Sequence, residues 1–260
     1  MGKRRYNGRL FTREQVYICG NYMEANIYPV FQRPGVRRSK AKASSEIQKK
    51  LNEKNSIQKA SRIAHANFTE QDLALHLSYA REPESIEDAK RLLNNYLKKL
   101  ARAYKKAGLE LKYMKRTEKG KKSGRIHHHL YITGGLDRDY IEKLWNLGRC
   151  NSRRLQFGED GIMGLTAYIA GAGKSRDTYC RWTCSRNCIR PEPEEHDGRL
   201  SNAEADEIGM LAADGMAFDV LEQLYPEWEC ILCEGSKNEF NRSWYTHAIF
   251  RRRPETKIRT

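Results

Sequence analysis

Three consecutive histidines, His127, His128 and His129, lie inside the apolar segment IHHHLYI, residues 126–132. The segment is typical of a β-strand, whose side chains alternate between the two faces of a sheet. His127 and His129 should therefore project from one face, and His128 from the other together with the apolar residues. Two neutral imidazoles at this spacing on an exposed sheet face can bind one divalent metal ion.

Such a metal site needs at least one further ligand, and the chain supplies an acid within reach. Glu118 lies nine residues before His127, at the start of a turn, so a hairpin would return it beside the imidazoles. Two histidines and one carboxylate leave open positions on Mg²⁺ or Mn²⁺ for phosphate oxygens. The alternative is a surface histidine cluster without a metal, but the nearby acid and the basic chain favour the metal. His128 faces the apolar side, which favours packing over ligation.

A metal that polarises a phosphodiester needs a nucleophile, and Tyr168 in the segment LTAYIAGAG is the best candidate. A tyrosine oxyanion that attacks in line forms a phosphotyrosine link and frees a sugar hydroxyl. Lys174 could supply the positive charge that helps the phenol to ionise. From these residues alone, a core aromatic on a helix face is the favoured interpretation, because Tyr168 is one of fourteen tyrosines.

A second phosphate-binding motif is excluded. Residues 170–175, AGAGKS, end like a P-loop, but the full motif would require glycine at Tyr168 and a preceding strand rather than a helix. An NTPase is therefore rejected. The chain also lacks an H-x-H-x-H pattern, so a hydrolase of the histidine-triad kind is a poor match.

The elements around these residues predict an α+β fold, with an antiparallel sheet covered by helices on one face. The clearest helix begins after Ser85 and ends at Gly108, because its apolar residues recur at i, i+3, i+4 and i+7. A Lys-rich helix from about Ser45 has only a thin apolar stripe and is expected on the surface or against DNA. The remaining predicted elements are strands at 73–80, 109–116, 126–132 and 153–157, helices at about 137–147 and 162–173, an acidic insertion at 194–217, and two closing strands at 228–234 and 244–253.

The charge distribution favours a nucleic-acid partner. The 260 residues carry a formal net charge of +15. Residues 1–60 contain 14 basic against 4 acidic side chains, whereas residues 191–240 contain 2 against 14. A surplus this one-sided is better explained by polyanion binding than by a solvated basic face. With no signal peptide and no long apolar segment, we expect a cytoplasmic protein with no membrane association.

The motifs RIHHHLYI and YIAGAGK resemble the His–hydrophobe–His and tyrosine motifs of rolling-circle replication initiators, the HUH endonucleases. The chain is most similar to bacterial and phage replication-associated proteins related to filamentous-phage gene II protein, over most of residues 15–193. The resemblance implies a Mg²⁺- or Mn²⁺-dependent endonuclease that nicks single-stranded DNA at a replication origin. It would stay attached to the 5′ end through tyrosine and release a 3′-OH primer. A host helicase and a DNA polymerase are the implied partners.

Carried over by position, the resemblance gives His127 and His129 the role of metal histidines, Glu118 that of the acid, and Tyr168 that of the nucleophile. The segment LHLSY, residues 75–79, occupies the first motif of the family. The resemblance therefore implies that two further residues of this segment could face the DNA or the metal, namely His76 and Ser78.

Two positions depart from the family pattern. His128 replaces the middle hydrophobe of the metal motif, and Gly171 stands where the family has a lysine three residues after the tyrosine. Either Lys174 folds back to the phenol, or another base replaces the lysine, or the activity is reduced. The candidate bases are Lys121, Lys122 and Arg125, and Tyr179 is the reserve nucleophile.

We expect three segments: a basic N-terminal arm and helix at 1–66, an HUH endonuclease core at 67–193, and a C-terminal extension with an acidic insertion and closing strands at 194–260. Basic residues of the arm and of the loop before the histidines would bind DNA phosphates. They are Arg37, Arg38, Lys40, Lys42, Lys121, Lys122 and Arg125. The alternatives are a non-catalytic DNA-binding protein on the same fold, and a related relaxase or single-strand transposase.

Overall fold

A computed structural model describes residues 9–31, 46–120, 123–158, 161–170, 182–239 and 241–254. These residues form ten strands and six helices. The strands are β1 (Arg9–Cys19), β2 (Tyr22–Phe31), β3 (Leu73–Ser78), β4 (Tyr113–Lys119), β5 (Ile126–Ile132), β6 (Cys150–Arg154), β7 (Thr183–Cys184), β8 (Glu194–Asp197), β9 (Trp228–Lys237) and β10 (Trp244–Arg252). The helices are α1 (Glu46–Asn67), α2 (Ile86–Lys106), α3 (Arg138–Leu144), α4 (Met163–Ala170), α5 (Asn202–Ala213) and α6 (Phe218–Leu224).

The chain divides into two compact units, and the histidine strand lies in the unit formed by residues 49–190. Its sheet has the order β6-β3-β5-β4-β7, and all of its pairings are antiparallel. Strand β5 is therefore the central strand, with β3 on one side and β4 on the other. This unit contains both predicted motifs.

Helix α2 covers one face of this sheet, as its apolar stripe predicts. Leu93, Leu97 and Leu100 of the helix are buried against leucines of β3 and β5. The Ser85 side chain accepts a hydrogen bond from the Asp88 N–H and so caps the helix. The predicted stripe, cap and packing face are all confirmed.

Helices α1 and α4 cover part of the opposite face. Ala60, Ile63 and Ala64 of α1 are buried in a cluster that includes Ala74 and Tyr131 of the sheet. The prediction that α1 lies on the surface is confirmed for residues 50–59, which are exposed or half-buried, whereas the thin stripe packs the second half of the helix against the sheet. Contact of α1 with DNA stays a prediction.

The second unit combines residues up to 48 with residues from 191 onwards. Its antiparallel sheet has the order β8-β1-β2-β10-β9, and its core includes residues of α5 and α6. The closing strands are confirmed, but the basic arm is corrected for the described residues 9–31, which form two strands of this sheet. The alternation of apolar and polar residues that is typical of a strand is hidden in β1, because two inward-facing positions, Thr12 and Glu14, are polar. The Glu14 carboxylate accepts hydrogen bonds from Arg199 and Tyr225.

This division also differs from the expected boundaries at 66 and 193, because strands from both ends of the chain share one sheet. The acidic insertion contains strand β8 as well as the expected helix. The predicted α+β class with antiparallel sheets is confirmed, and the architecture is consistent with an HUH endonuclease-like fold. No helix among the described residues is long and apolar enough to cross a membrane.

Candidate active site

The sheet register brings the predicted acid and the predicted histidines together. Glu118 of β4 pairs with His127 of β5, and Arg116 pairs with His129. On the other side of β5, His129 pairs with His76 of β3. Because alternate residues share a face, these five side chains project from the same side of the sheet.

Both imidazoles converge on one oxygen of the carboxylate. Glu118 Oε1 lies 3.1 Å from His127 Nε2 and 3.2 Å from His129 Nε2. The Glu118 side chain is buried, and its other oxygen, Oε2, forms an ion pair with Arg116 Nε at 3.0 Å. Oε1 is thus directed at the histidines, while Oε2 is held by Arg116.

The second nitrogen of His127 assigns the tautomer of the neutral ring. His127 Nδ1 lies 3.2 Å from the Arg125 carbonyl oxygen, which can only accept a hydrogen bond, so Nδ1 carries the proton. In the neutral ring, Nε2 then presents a lone pair to Glu118 Oε1. Two acceptors 3.1 Å apart repel each other unless a proton or a cation lies between them. His127, His129 and Glu118 could therefore hold a divalent metal ion, whose charge would relieve this repulsion as a shared proton would.

His76 adds a third imidazole to this group. The ligand atoms of His76, His127 and His129 all lie within 4.8 Å of one another. Desolvation by the surrounding protein, followed by the charges of His129 and His127, lowers the pKa of His76 to about 4, while Glu118 opposes the shift. His76 is therefore neutral at pH 7 and could serve as a metal ligand.

Tyr168 lies at the same site. Its hydroxyl is 3.1 Å from His129 Nε2, and the two rings meet edge to face with centroids 4.8 Å apart. The side chain is 46% exposed, so the tyrosine is not the core aromatic that its local sequence favours. Partial burial and then the Glu118 charge raise the pKa of Tyr168, while Arg116 and Arg153 oppose the shift.

Helix α4 is fixed to the sheet and to α1 by hydrogen bonds that the sequence did not indicate. Arg116 contributes one of them, because its NH1 donates to the Ile169 carbonyl at 3.3 Å. The others are Ser61 Oγ with Thr166 Oγ1 at 2.5 Å, His65 Nε2 accepting from the Ile162 N–H at 3.1 Å, and Tyr131 OH donating to the Leu165 carbonyl at 2.6 Å. Arg116 thus contacts both Glu118 and the helix that carries Tyr168.

His128 is packed on the opposite face, as predicted. It is 0% exposed, with Nε2 2.7 Å from the Tyr79 hydroxyl and Nδ1 2.9 Å from Thr117 Oγ1. Tyr79 donates to the Ala89 carbonyl of α2, so it accepts from His128 Nε2–H, and Nδ1 accepts from Thr117. Burial lowers the pKa of His128 to about 3.

The other predicted site residues have different outcomes. Ser78 lines the same cleft as His76. Arg125 pairs with Glu82 and also donates to the Tyr79 carbonyl, so its guanidinium is held by other groups. The remaining predicted residues lie outside the described part of the chain: Arg37, Arg38, Lys40, Lys42, Lys121, Lys122, Lys174 and the reserve nucleophile Tyr179.

A cleft of about 720 Å³ adjoins the histidines and Tyr168. Its lining includes three residues that the sequence analysis did not single out, Arg149, Asn151 and Arg153. They come from β6 and the residue before it, and no local motif marks them.

Comparison with protein families identifies a match that covers the site. Residues 72–171 match the family model described as replication-associated protein ORF2/G2P. Comparisons with curated proteins and with solved structures give no significant match. The matched range runs from the residue before β3 to the residue after α4, so it contains His76, Glu118, both histidines of the metal motif and Tyr168. This part of the chain is thus similar to the replication-associated proteins ORF2/G2P, as its motifs predict.

Proposed function

We propose that the protein initiates rolling-circle DNA replication by nicking single-stranded DNA at an origin, with Tyr168 as the nucleophile. The observation that carries this proposal is the Tyr168 hydroxyl 3.1 Å from His129 Nε2, where Glu118 also converges. The family match to replication-associated proteins supports the same class of function.

The reaction would exchange one phosphoester bond for another. The Tyr168 oxygen forms a bond to the phosphorus, the bond from phosphorus to the 3′ oxygen breaks, and that oxygen takes up a proton to become a 3′-OH. A Mg²⁺ or Mn²⁺ ion held by His127, His129 and Glu118 would polarise the phosphodiester. The free 3′-OH is the end that a host polymerase extends, with a host helicase opening the duplex.

Two arginines could take over part of the role of the family's missing lysine. The phenol must lose its proton to attack, and both Arg116 and Arg153 lower the pKa of Tyr168 against the effects of burial and Glu118. Arg116 is buried and fixed by Glu118, so its charge stays beside the site. The absence of lysine at Gly171 therefore does not leave the phenol without nearby positive charge.

The test is a covalent-adduct assay with labelled single-stranded DNA from the replicon that encodes the protein. Protein and DNA are incubated with Mn²⁺ or with EDTA and separated on a denaturing gel, for the wild type and for Tyr168→Phe. Tyr140→Phe is a matched control, because Tyr140 is also 46% exposed but lies on α3. We expect a Mn²⁺-dependent adduct in the wild type and in Tyr140→Phe, and none in Tyr168→Phe.

Other results would change the proposal in defined ways. An adduct that persists in Tyr168→Phe would keep the endonuclease and reject the nucleophile. Salt-sensitive DNA binding without any adduct would favour the non-catalytic DNA-binding protein.

A further inference from the structure

The cleft beside the histidines has a basic wall formed by one edge of the sheet. Strand β6 is the edge strand next to β3, and its register pairs Asn151 with His76 and Arg153 with Ala74. Arg149 comes just before the strand, and its carbonyl accepts a hydrogen bond from the Ser78 N–H. These three residues alternate along the chain, and all of them line the cleft.

Both arginines are available to a ligand. Arg149, Asn151 and Arg153 are exposed, and within the described ranges neither guanidinium forms an ion pair or a hydrogen bond. Their positive charges nevertheless affect the site, because Arg149 lowers the pKa of His76 and Arg153 lowers the pKa of Tyr168. Among the described residues that line the cleft there is no carboxylate.

The opposite wall of the cleft is largely apolar. Leu165 and Tyr168 of α4 line it, together with Tyr131 of β5. Helix α4 is hydrogen-bonded to β5 and β4, which lie on the side of β3 away from β6. A cleft with one cationic wall and one apolar or aromatic wall matches a single strand, which presents phosphates on one side and unpaired bases on the other. A duplex would hide its base faces and would gain nothing from the second wall.

The spacing along β6 also suits a nucleic-acid backbone. Two residues along a strand advance about 6.7 Å, which is close to the separation of successive phosphates in an extended single strand. Arg149 and Arg153, four residues apart, would then reach two phosphates that are not adjacent. Asn151 lies between them at the level of His76, where it would face the intervening nucleotide.

We propose that β6 is the backbone-binding edge of the site, on which Arg149 and Arg153 each bind one phosphate of the DNA strand that passes the histidines. This inference rests on the proposed function for its ligand, single-stranded DNA, but it concerns binding and not cleavage. Arg149 and Arg153 are positioning residues that set where the strand lies relative to Tyr168.

The test measures the salt dependence of binding to a fluorescein-labelled oligothymidylate by anisotropy, in EDTA so that no cleavage occurs. Neutralising one phosphate contact of a single strand changes the slope of log K against log salt concentration by about 0.7. The double variant Arg149→Ala/Arg153→Ala should therefore bind with a slope shallower by about 1.4 and with an affinity at least about ten-fold lower at low salt.

Two further variants separate phosphate contact from net charge. Lys99→Ala/Arg102→Ala removes two exposed charges from α2, which packs on the other face of the sheet, and should leave the slope unchanged. Arg149→Lys/Arg153→Lys keeps both charges and should retain the wild-type slope. All these side chains are exposed, so the variants should melt at the wild-type temperature.

An unchanged slope in Arg149→Ala/Arg153→Ala, or an equal change in the α2 variant, would overturn the inference. The covalent-adduct assay of the wild type with Mn²⁺ reports on nicking, independently of the binding measurement in EDTA. An adduct together with an unchanged slope rejects the β6 contacts alone, whereas a shallower slope without any adduct keeps the contacts and rejects nicking.

Discussion

Replacing His128 by leucine should change the pH dependence of stability in a way that can be worked out from the structure. Leucine restores the hydrophobe that the family motif has at this position. At pH 7 the variant loses the hydrogen bonds from Thr117 and to Tyr79, and it leaves the Thr117 hydroxyl buried without this acceptor. We expect it to be less stable than the wild type by about 1–3 kcal/mol at pH 7.

Lowering the pH to 4.5 should cancel or reverse this difference in the free energy of unfolding. The pKa of His128 is about 3 in the folded protein against an ordinary value of 6.5, so the unfolded chain binds the proton first as the pH falls. The wild type therefore loses stability from about pH 6.5 downwards, and between pH 7 and pH 4.5 the loss from this one group is roughly 2–3 kcal/mol. The magnitude holds for any folded pKa well below 4.5. The variant lacks this loss, so it should equal or exceed the wild type at pH 4.5.

The assay is urea unfolding of both proteins in EDTA at several pH values between 7 and 4.5. Groups that titrate in both proteins cancel in the difference between them. His196→Leu, on the exposed strand β8, controls for the loss of one histidine and should show no such convergence. A difference between wild type and His128→Leu that stays constant from pH 7 to pH 4.5 would refute the assignment of a buried, neutral His128.

Three further substitutions test the site, a cap and a backbone contact. Glu118→Gln removes the anionic oxygen on which both imidazoles converge, and should weaken Mn²⁺ binding at least about ten-fold by calorimetric titration. Ser85→Ala removes the cap of α2 and should cost about 1 kcal/mol in urea unfolding, with an unchanged m-value. Gly148→Ala would place its Cβ 2.3 Å from the Ser78 carbonyl oxygen, so a lower melting temperature and weaker DNA binding are expected. Wild-type Mn²⁺ affinity in Glu118→Gln, wild-type stability in Ser85→Ala, or a wild-type melting temperature in Gly148→Ala would contradict the contact that the substitution removes or crowds.

The elements with strong local patterns were predictable, and so was the part of the site that they carry. Alternation along residues 126–132 placed His127 and His129 on one face, and the short hairpin returned Glu118 to them, because strand pairing across a turn is a local property. The stripe of α2 was equally clear. Tyr168 was identified only with the help of the family resemblance, since many tyrosines have the same local surroundings.

The contacts that complete the site could not be predicted in this way, because they join residues far apart in the chain. Arg116 reaches the Ile169 carbonyl, and His65 accepts from the N–H of Ile162, almost one hundred residues later. Nothing in the neighbouring residues marks either side chain as part of an active site. The hairpin of β1 and β2 could not be predicted for a related reason. A glutamate such as Glu14 is typical of a surface position, and the residues that allow its burial, Arg199 and Tyr225, lie far away in the chain.

The triple histidine raises the question of how β5 keeps its register, because neighbouring positions carry the same side chain. A slip of one residue would turn His128 towards the metal face and bury the two ligand candidates. In the observed register, hydroxyls of Thr117 and Tyr79 satisfy the imidazole on the buried face. On the other face, Glu118 lies opposite His127. After such a slip His127 or His129 would occupy the buried position and could form the same hydrogen bonds, so these bonds alone do not fix the register. The flanking residues Ile126, Leu130 and Ile132 do, because they are buried against α2 and a slip would turn all three to the opposite face. The departure from the family motif is thus compatible with the same site geometry, because the flanking apolar residues still select this register.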